Sequence, residues 1–260
     1  MNTDNAFLGC ITHNGQLDYR MAKSFFVTAA KDRSVMFKCH QTSLLAGGCN
    51  TLWCDALNNM AQAGLKWFSL LHADIVPEDW WLDKLIAIAE ENDADMLSAI
   101  VPIKGPEGVT STAISSHDAF RRYTRLTMKQ VNDPAMSATF DIDQLKNLPP
   151  FAKAFRPEYN ENGNPYLLVN TGCFVCRLDR EWVQREDVMF TINDRIRQGI
   201  GGNYLAYQEP EDWYFSRMVA KVGGKVMATR EVKVEHIGAI SYKSNTVWGQ
   251  ETDPAQLNIY

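Results

Sequence analysis

Residues 66–79 read KWFSLLHADIVPED, and the fold turns on how this stretch is read. Lys66 to Leu71 is a short apolar run of the kind that forms a buried strand. Asp74 follows at its C-terminal end. Pro77, Glu78 and Asp79 then predict a helix start, running to about Asn92. Proline suits the first helical position, and acids are favoured in a first turn. Strand, acidic loop and helix make the repeating unit of open α/β sheets, which bind ligands outside the carboxyl ends of their strands.

The same unit recurs on both sides. Ala6 to Thr12 reads as a strand ended by the turn signal His13-Asn14-Gly15. Asp18 can cap a helix to Lys31 whose apolar residues Met21, Phe25, Phe26 and Ala29 keep a helical period. Val35 to His40 is a second strand, followed by a loop through Gly47-Gly48. Asn50 can cap the next helix, with Trp53, Leu57, Met60 and Ala61 on it and Gly64 ending it. Ala94 to Val101 is a further strand. The order βαβαβαβ predicts a parallel sheet with right-handed crossovers.

Beyond Val101 the pattern changes. Residues 104–165 show no clear period. Tyr166 to Leu178 is a strand interrupted by Asn170-Thr171-Gly172, Glu211 to Val222 a helix, and Lys225 to Glu235 one or two strands. One domain over 1–260 is expected: a nucleotide-binding half over 6–102, an irregular acceptor and catalytic half over 103–243, and a tail over 244–260.

Composition narrows the class. The 260 residues are 45% hydrophobic and 22% charged, an ordinary globular balance. A formal net charge of −5 gives no global field for nucleic acid. No run of 18 apolar residues occurs, so no membrane span is expected. The opening MNTDNAFLGC lacks a basic segment before an apolar one, so a cytoplasmic location is expected. The six cysteines fall mostly in apolar runs and read as reduced, packed side chains. Cys173-Phe-Val-Cys176 has the spacing of a metal pair, but in a strand positions three apart face opposite sides.

Four polar clusters stand beside apolar runs: His72-Ala-Asp74, Asn170-Thr171-Gly172, Glu209-Pro-Glu-Asp-Trp213, and His236-Ile-Gly238 with Lys243 beyond it. Any one alone is weak: a lone Asp after a strand is more often a turn or cap residue, and a lone His more often a surface or hydrogen-bonded one. Together, in this order, they resemble the GT-A-fold glycosyltransferases, the family 2-like branch and its relatives, over about residues 6–243.

The resemblance implies an α/β, GT-A-like fold: a Rossmann-type, mostly parallel sheet flanked by helices, with an irregular acceptor-side second half. It implies sugar transfer from a nucleotide-diphosphate donor, a UDP-sugar being commonest, to an acceptor hydroxyl, with inversion. Asp74 and His236 would hold Mn²⁺ or Mg²⁺, ions that accept carboxylate oxygen, with imidazole suiting manganese. Thr12, Asn14, Asn50, His72, Asn170, Thr171, Gly172 and Lys243 would line the donor site. Asp212 would be the general base, with Glu211 the alternative, and Trp213 a wall for the acceptor; taken alone, the two acids read equally as first-turn residues favoured by the helix dipole and Trp213 as a core side chain. Two positions depart from the family pattern: His72 stands where the first acid of its DxD-type motif is expected, and Cys49 stands where an Arg precedes the Asn. A non-catalytic relative that only binds nucleotide sugar is the alternative reading. A sugar nucleotidyltransferase ranks last, because the loop after the first strand is not the glycine-rich, basic loop of that class.

The acceptor is open among glycan, polymer, protein and DNA. In His117–Lys129, Arg121, Arg125 and Lys129 would share a helical face, as would Arg122 and Lys129, able to meet an anionic acceptor such as DNA phosphates. A solvated helix face explains the same charges.

Overall fold

The computed structural model describes residues 5–115, 123–146, 148, 165–198, 201–238 and 241–251. Its first part contains β1 (Asn5–Thr12), α1 (Tyr19–Phe26), β2 (Val35–Gln41), α2 (Leu45–Ala63), β3 (Leu65–Leu71), β4 (Ile75–Pro77), α3 (Trp81–Glu91) and β5 (Met96–Ala99). Then follow β6 (Val109–Ser115), β7 (Tyr123–Thr127), α4 (Met128–Val131), β8 (Thr139–Asp141), α5 (Ile142–Leu145), β9 (Tyr166–Leu168) and β10 (Cys173–Arg177). The chain continues through β11 (Asn193–Gln198), β12 (Tyr204–Glu209), α6 (Glu211–Lys221), β13 (Val226–Thr229), β14 (Val234–Ile237) and β15 (Ser241–Lys243).

Seven strands form the main sheet in the order β2-β1-β3-β10-β5-β13-β8. The pairs β1·β2, β1·β3 and β5·β13 are parallel, while β10 and β8 run against their neighbours. The fold is therefore a mixed α/β, Rossmann-like sheet, mostly parallel and flanked by helices, as expected. Its interior strands are apolar on both faces, which a sheet covered on both sides requires. Phe7, Phe68 and Leu70 pack on one side with Leu52, Trp53 and Phe215; Leu8, Trp67 and Leu71 pack on the other with Phe25, Trp81 and Leu85. On the first side Phe190 stacks on Phe215 at 4.1 Å. Cys173 and Cys176 belong to these two opposite cores, as the period of two demands.

Smaller sheets carry the irregular half: β15-β14-β4, β7-β6-β9, and the hairpin β11-β12. Several boundaries need correction. Pro77 does not open a helix. It ends β4, an edge strand, where a residue without an N–H is tolerated. α3 starts at Trp81, after Trp80 in a left-handed conformation at φ 64°. α2 begins at Leu45, so Asn50 lies inside it and caps nothing. Asp18 does cap α1, accepting from the Arg20 amide, but that helix stops at Phe26. Gly64 ends α2 at φ 60° as read. Arg125 lies in strand β7, not on a helix, because Tyr123-Thr-Arg-Leu-Thr127 is rich in aromatic and β-branched residues. Arg121 and Arg122 lie outside the described residues.

Candidate functional site

The strand ends gather the clusters at one edge of the sheet. β1 and β3 run side by side, Gly9 opposite Leu70, so the loops after both open together. β10 runs the other way and starts there, with Cys173 opposite Leu71. The Gly172 carbonyl accepts the His72 amide at 2.9 Å.

Asp74 and His236, 162 residues apart, meet through a ladder. β4 follows Asp74 directly and pairs antiparallel with β14, which sets His236 opposite Ile75. The Ile237 amide donates to the Asp74 carbonyl at 2.7 Å. Nε2 of His236 then lies 3.3 Å from Oδ2 of Asp74. Nδ1 of His236 lies 2.7 Å from the Pro102 carbonyl. A carbonyl only accepts, so the proton is on Nδ1, and in the neutral ring Nε2 presents a lone pair. A lone pair facing a carboxylate oxygen calls for a second proton or a cation between them. Two adjacent ligands of an octahedral ion with bonds of about 2.1 Å sit about 3 Å apart, so the pair fits such an ion. The backbone bond on the other ring nitrogen is the usual support of a metal-binding histidine. Among the described residues no group of three His, Cys, Asp or Glu gathers for metal binding, so further ligands would be phosphate oxygens or water. Lys104 Nζ also reaches Asp74 Oδ2, at 2.5 Å. Burial acts to raise the Asp74 carboxyl, but its contacts with His236 and Lys104 outweigh it and hold it well below the usual range.

His72 stays outside that pair. Its Nε2 is buried with no partner, and the Thr171 hydroxyl is likewise buried and unpartnered. Burial pushes the His72 imidazole down to about 4, against the pull of Asp74, so it is neutral at physiological pH. Gly172 is closely surrounded by side chains. A Cβ there would meet Ile75 Cδ1 at 2.5 Å, Asn170 Oδ1 at 2.7 Å and His72 Nδ1 at 3.0 Å.

Asp212 sits in the first turn of α6 and is buried. Its Oδ1 accepts the Trp213 amide at 2.7 Å and its Oδ2 the Asn170 side chain at 3.1 Å. Asn170 Oδ1 accepts the Gly172 amide at 2.6 Å, which fixes the orientation of the side-chain amide. Burial, reinforced by neighbouring Glu211, pushes the Asp212 carboxyl up to about 7. Burial raises Glu211 as well. Arg125 lies 4.7 Å over the Trp213 ring and 5.6 Å over Tyr123, and Trp213 Nε1 donates to the Ser111 carbonyl at 2.8 Å. Trp213 is thus largely a packed side chain.

The other expected donor residues divide. The Thr12 hydroxyl accepts the Gly15 amide at 2.5 Å, and Asn14 holds Gln16 within the same exposed turn. Asn50 is a structural clip: it donates to the Phe190 carbonyl at 2.7 Å and accepts the Phe190 amide at 2.8 Å. Lys243 lies exposed on β15, 3.9 Å from Glu235. Lys129 pairs with Glu251 at 2.8 Å and Arg125 lies in β7, so these two do not share one helical face. Lys104 and the Pro102 carbonyl were missed. They lie just past β5, where the periodic signal fades, and the only hint was their place after a strand end.

No protein-family model and no curated protein matches this chain. Among solved structures it resembles A197 from STIV, with a TM-score of 0.51 at 11% identity, over 96% of this chain and 95% of that one. That likeness shows a shared fold. A UDP-glucose pyrophosphorylase matches with a TM-score of 0.35 at 13% identity, over 89% of this chain and 76% of its own. The UDP-glucose phosphorylase from Trypanosoma brucei matches with a TM-score of 0.32 at 9% identity, over 70% of this chain, which spans 36% of that protein. No helix among the described residues is long and apolar enough to cross a membrane.

Proposed function

We propose that this protein is a glycosyltransferase. It moves a sugar from a nucleotide diphosphate, a UDP-sugar first among candidates, to an acceptor hydroxyl with inversion. The observation that carries the reading is the convergence of Asp74 Oδ2 and His236 Nε2 at 3.3 Å, with the imidazole fixed by Pro102. A second carboxylate, Asp212, is joined to the same loop cluster through Asn170.

In this reading Asp74 and His236 hold Mn²⁺ or Mg²⁺, which supplies Lewis-acid relief for charge growing on the departing diphosphate. His72, neutral, offers a hydrogen bond to the donor's ribose or sugar. Asp212 takes the proton of the attacking hydroxyl, and its raised pKa suits a base working near neutrality. Asn170 keeps its carboxylate aimed. The acceptor is a glycan, a polymer or a protein. Thermal melting with UDP-, GDP- and dTDP-sugars, each with Mn²⁺, Mg²⁺ or EDTA, tests the donor site, because binding to the native state raises Tm by mass action. A metal-requiring shift for one nucleotide, lost in Asp74→Ala and His236→Ala, is expected. Full turnover in Asp74→Ala would sink the metal assignment.

One observation favours a second reading. His72, with its unpartnered Nε2, stands where the resemblance expects an acid. A non-catalytic nucleotide-sugar-binding protein would show the same melting shift and no nucleotide release with any acceptor.

A further inference from the structure

The loop between β5 and β6 touches both residues read as metal ligands. Its Pro102 carbonyl meets His236 Nδ1 at 2.7 Å, and two residues on, Lys104 Nζ lies 2.5 Å from Asp74 Oδ2. The loop backbone is anchored. Pro102 bridges Thr110, the Ile103 amide donates to the Val109 carbonyl at 2.8 Å, and the Gln250 amide donates to the Glu107 carbonyl at 2.6 Å. The Lys104 side chain is a flexible stem, 35% exposed, and Asp74 is its one ion-pair partner among the described residues. Asp74 is 44% exposed, so solvent and a ligand can reach the same oxygen.

The oxygen that holds Lys104 is the oxygen that faces His236 Nε2. An ammonium and a divalent ion cannot both sit there, since like charges at contact distance in a partly desolvated site repel strongly. We propose that Lys104 is a built-in counter-cation: it neutralises Asp74 until a divalent ion displaces it, then turns to the anionic diphosphate of the donor. This rests on the reading of Asp74 and His236 as metal ligands. Lysine suits the task, being a compact point charge on a long, rotatable stem. The exchange couples two ligands. A divalent ion alone must expel an ammonium into water, whereas an ion arriving with a diphosphate gives that ammonium a new partner. Each ligand therefore tightens the other by the same factor.

The test is Mn²⁺ binding, followed by electron paramagnetic resonance, with and without UDP as the probe. It compares the unaltered protein, Lys104→Met, Lys104→Gln and Asp74→Asn, each checked for an unchanged melting curve. Removing the ammonium is expected to tighten Mn²⁺ alone by about tenfold and to shrink the enhancement by UDP by a similar factor. Unchanged Mn²⁺ affinity in both Lys104 variants overturns the exchange and leaves the metal reading standing. Mn²⁺ binding that is absent from the unaltered protein and the Lys104 variants, or that survives in Asp74→Asn, overturns the metal reading and the exchange with it.

Discussion

Asn170 Nδ2 donates to Asp212 Oδ2 across 3.1 Å, while the same side chain takes the Gly172 amide on its oxygen at 2.6 Å. One amide thus ties a carboxylate on α6 to the loop that also carries His72. The carboxylate remains costly to ionise, because burial raises it from the ordinary 3.8 to about 7 with Glu211 adding to the effect.

That cost has a definite sign. An acid whose folded pKa is raised binds more protons folded than unfolded between the two values. Its contribution to stability is whole below about 4 and is lost as pH rises through about 7. Asp212→Asn removes the ionisation, but its single amide oxygen can accept only one of the Trp213 and Asn170 N–H groups, so the other donor is left facing an NH2. Urea unfolding at pH 5 and pH 8 separates the two effects: the variant should be less stable than the unaltered protein at pH 5, and the difference should shrink or reverse at pH 8. Sugar transfer should fall by about 10²-fold or more in the variant, and in the unaltered protein it should rise with pH through about 7. Unchanged turnover in Asp212→Asn would remove it as the base.

His72 runs the opposite way. Burial depresses it to about 4 from 6.5, so its charged form is favoured unfolded, and stability falls as pH drops through that interval. Its orphaned Nε2 adds an unmade hydrogen bond. His72→Leu is expected to hold or raise stability, by up to about 1 kcal/mol, while weakening nucleotide-sugar binding by about tenfold. Calorimetric titration with the nucleotide sugar found by the melting screen checks the pair of effects. A merely structural histidine would leave the affinity unchanged.

The buried strand was legible from the apolar run of residues 66–71, and the parallel sheet from the order of elements around it, whereas the division of Trp67 and Leu71 from Phe68 and Leu70 between two cores is seen in the structure. The order of the polar clusters was legible too. The reason Asp74 meets His236 was not. Pro77 followed by two acids has the same letters whether it opens a helix or closes an edge strand, and only pairing with β14 decides. The start of α3 depends on Trp80 at φ 64°, which has no sequence signature. Arg125 misled for a related reason: its spacing with Lys129 fits a helix, while its neighbours Tyr123, Thr124 and Thr127 favour the strand that forms.

Asn50 tests how far the family pattern reaches. Both of its side-chain bonds go to the Phe190 backbone, next to the stack of Phe190 on Phe215. Asn50→Ala leaves a donor and an acceptor unpaired beside the core, at a cost of roughly 1–3 kcal/mol. Chemical denaturation is expected to show that loss, with nucleotide affinity of the folded protein unchanged. A drop in affinity without a drop in stability would return Asn50 to the donor site.

Gly172 is where the two halves of the site are most tightly fitted, and Gly172→Ala is the smallest change that strains both. The added methyl meets Ile75 at the start of β4, the Asn170 oxygen that fixes the Asp212 contact, and the His72 ring, all at 3.0 Å or less. Ile75 can yield by a rotamer change, whereas Asn170 is held from both ends. Overpacking of this kind costs about 1–3 kcal/mol. The expected outcome is a lower Tm together with loss of sugar transfer, because Asn170 is pushed off Asp212. Metal binding should suffer less, since His236 reaches Asp74 through β14 rather than through the 170–172 loop. Mn²⁺ titration and transfer assays on the same preparation separate these effects. Equal loss of both would mean that the whole strand-end cluster moves as one rigid unit.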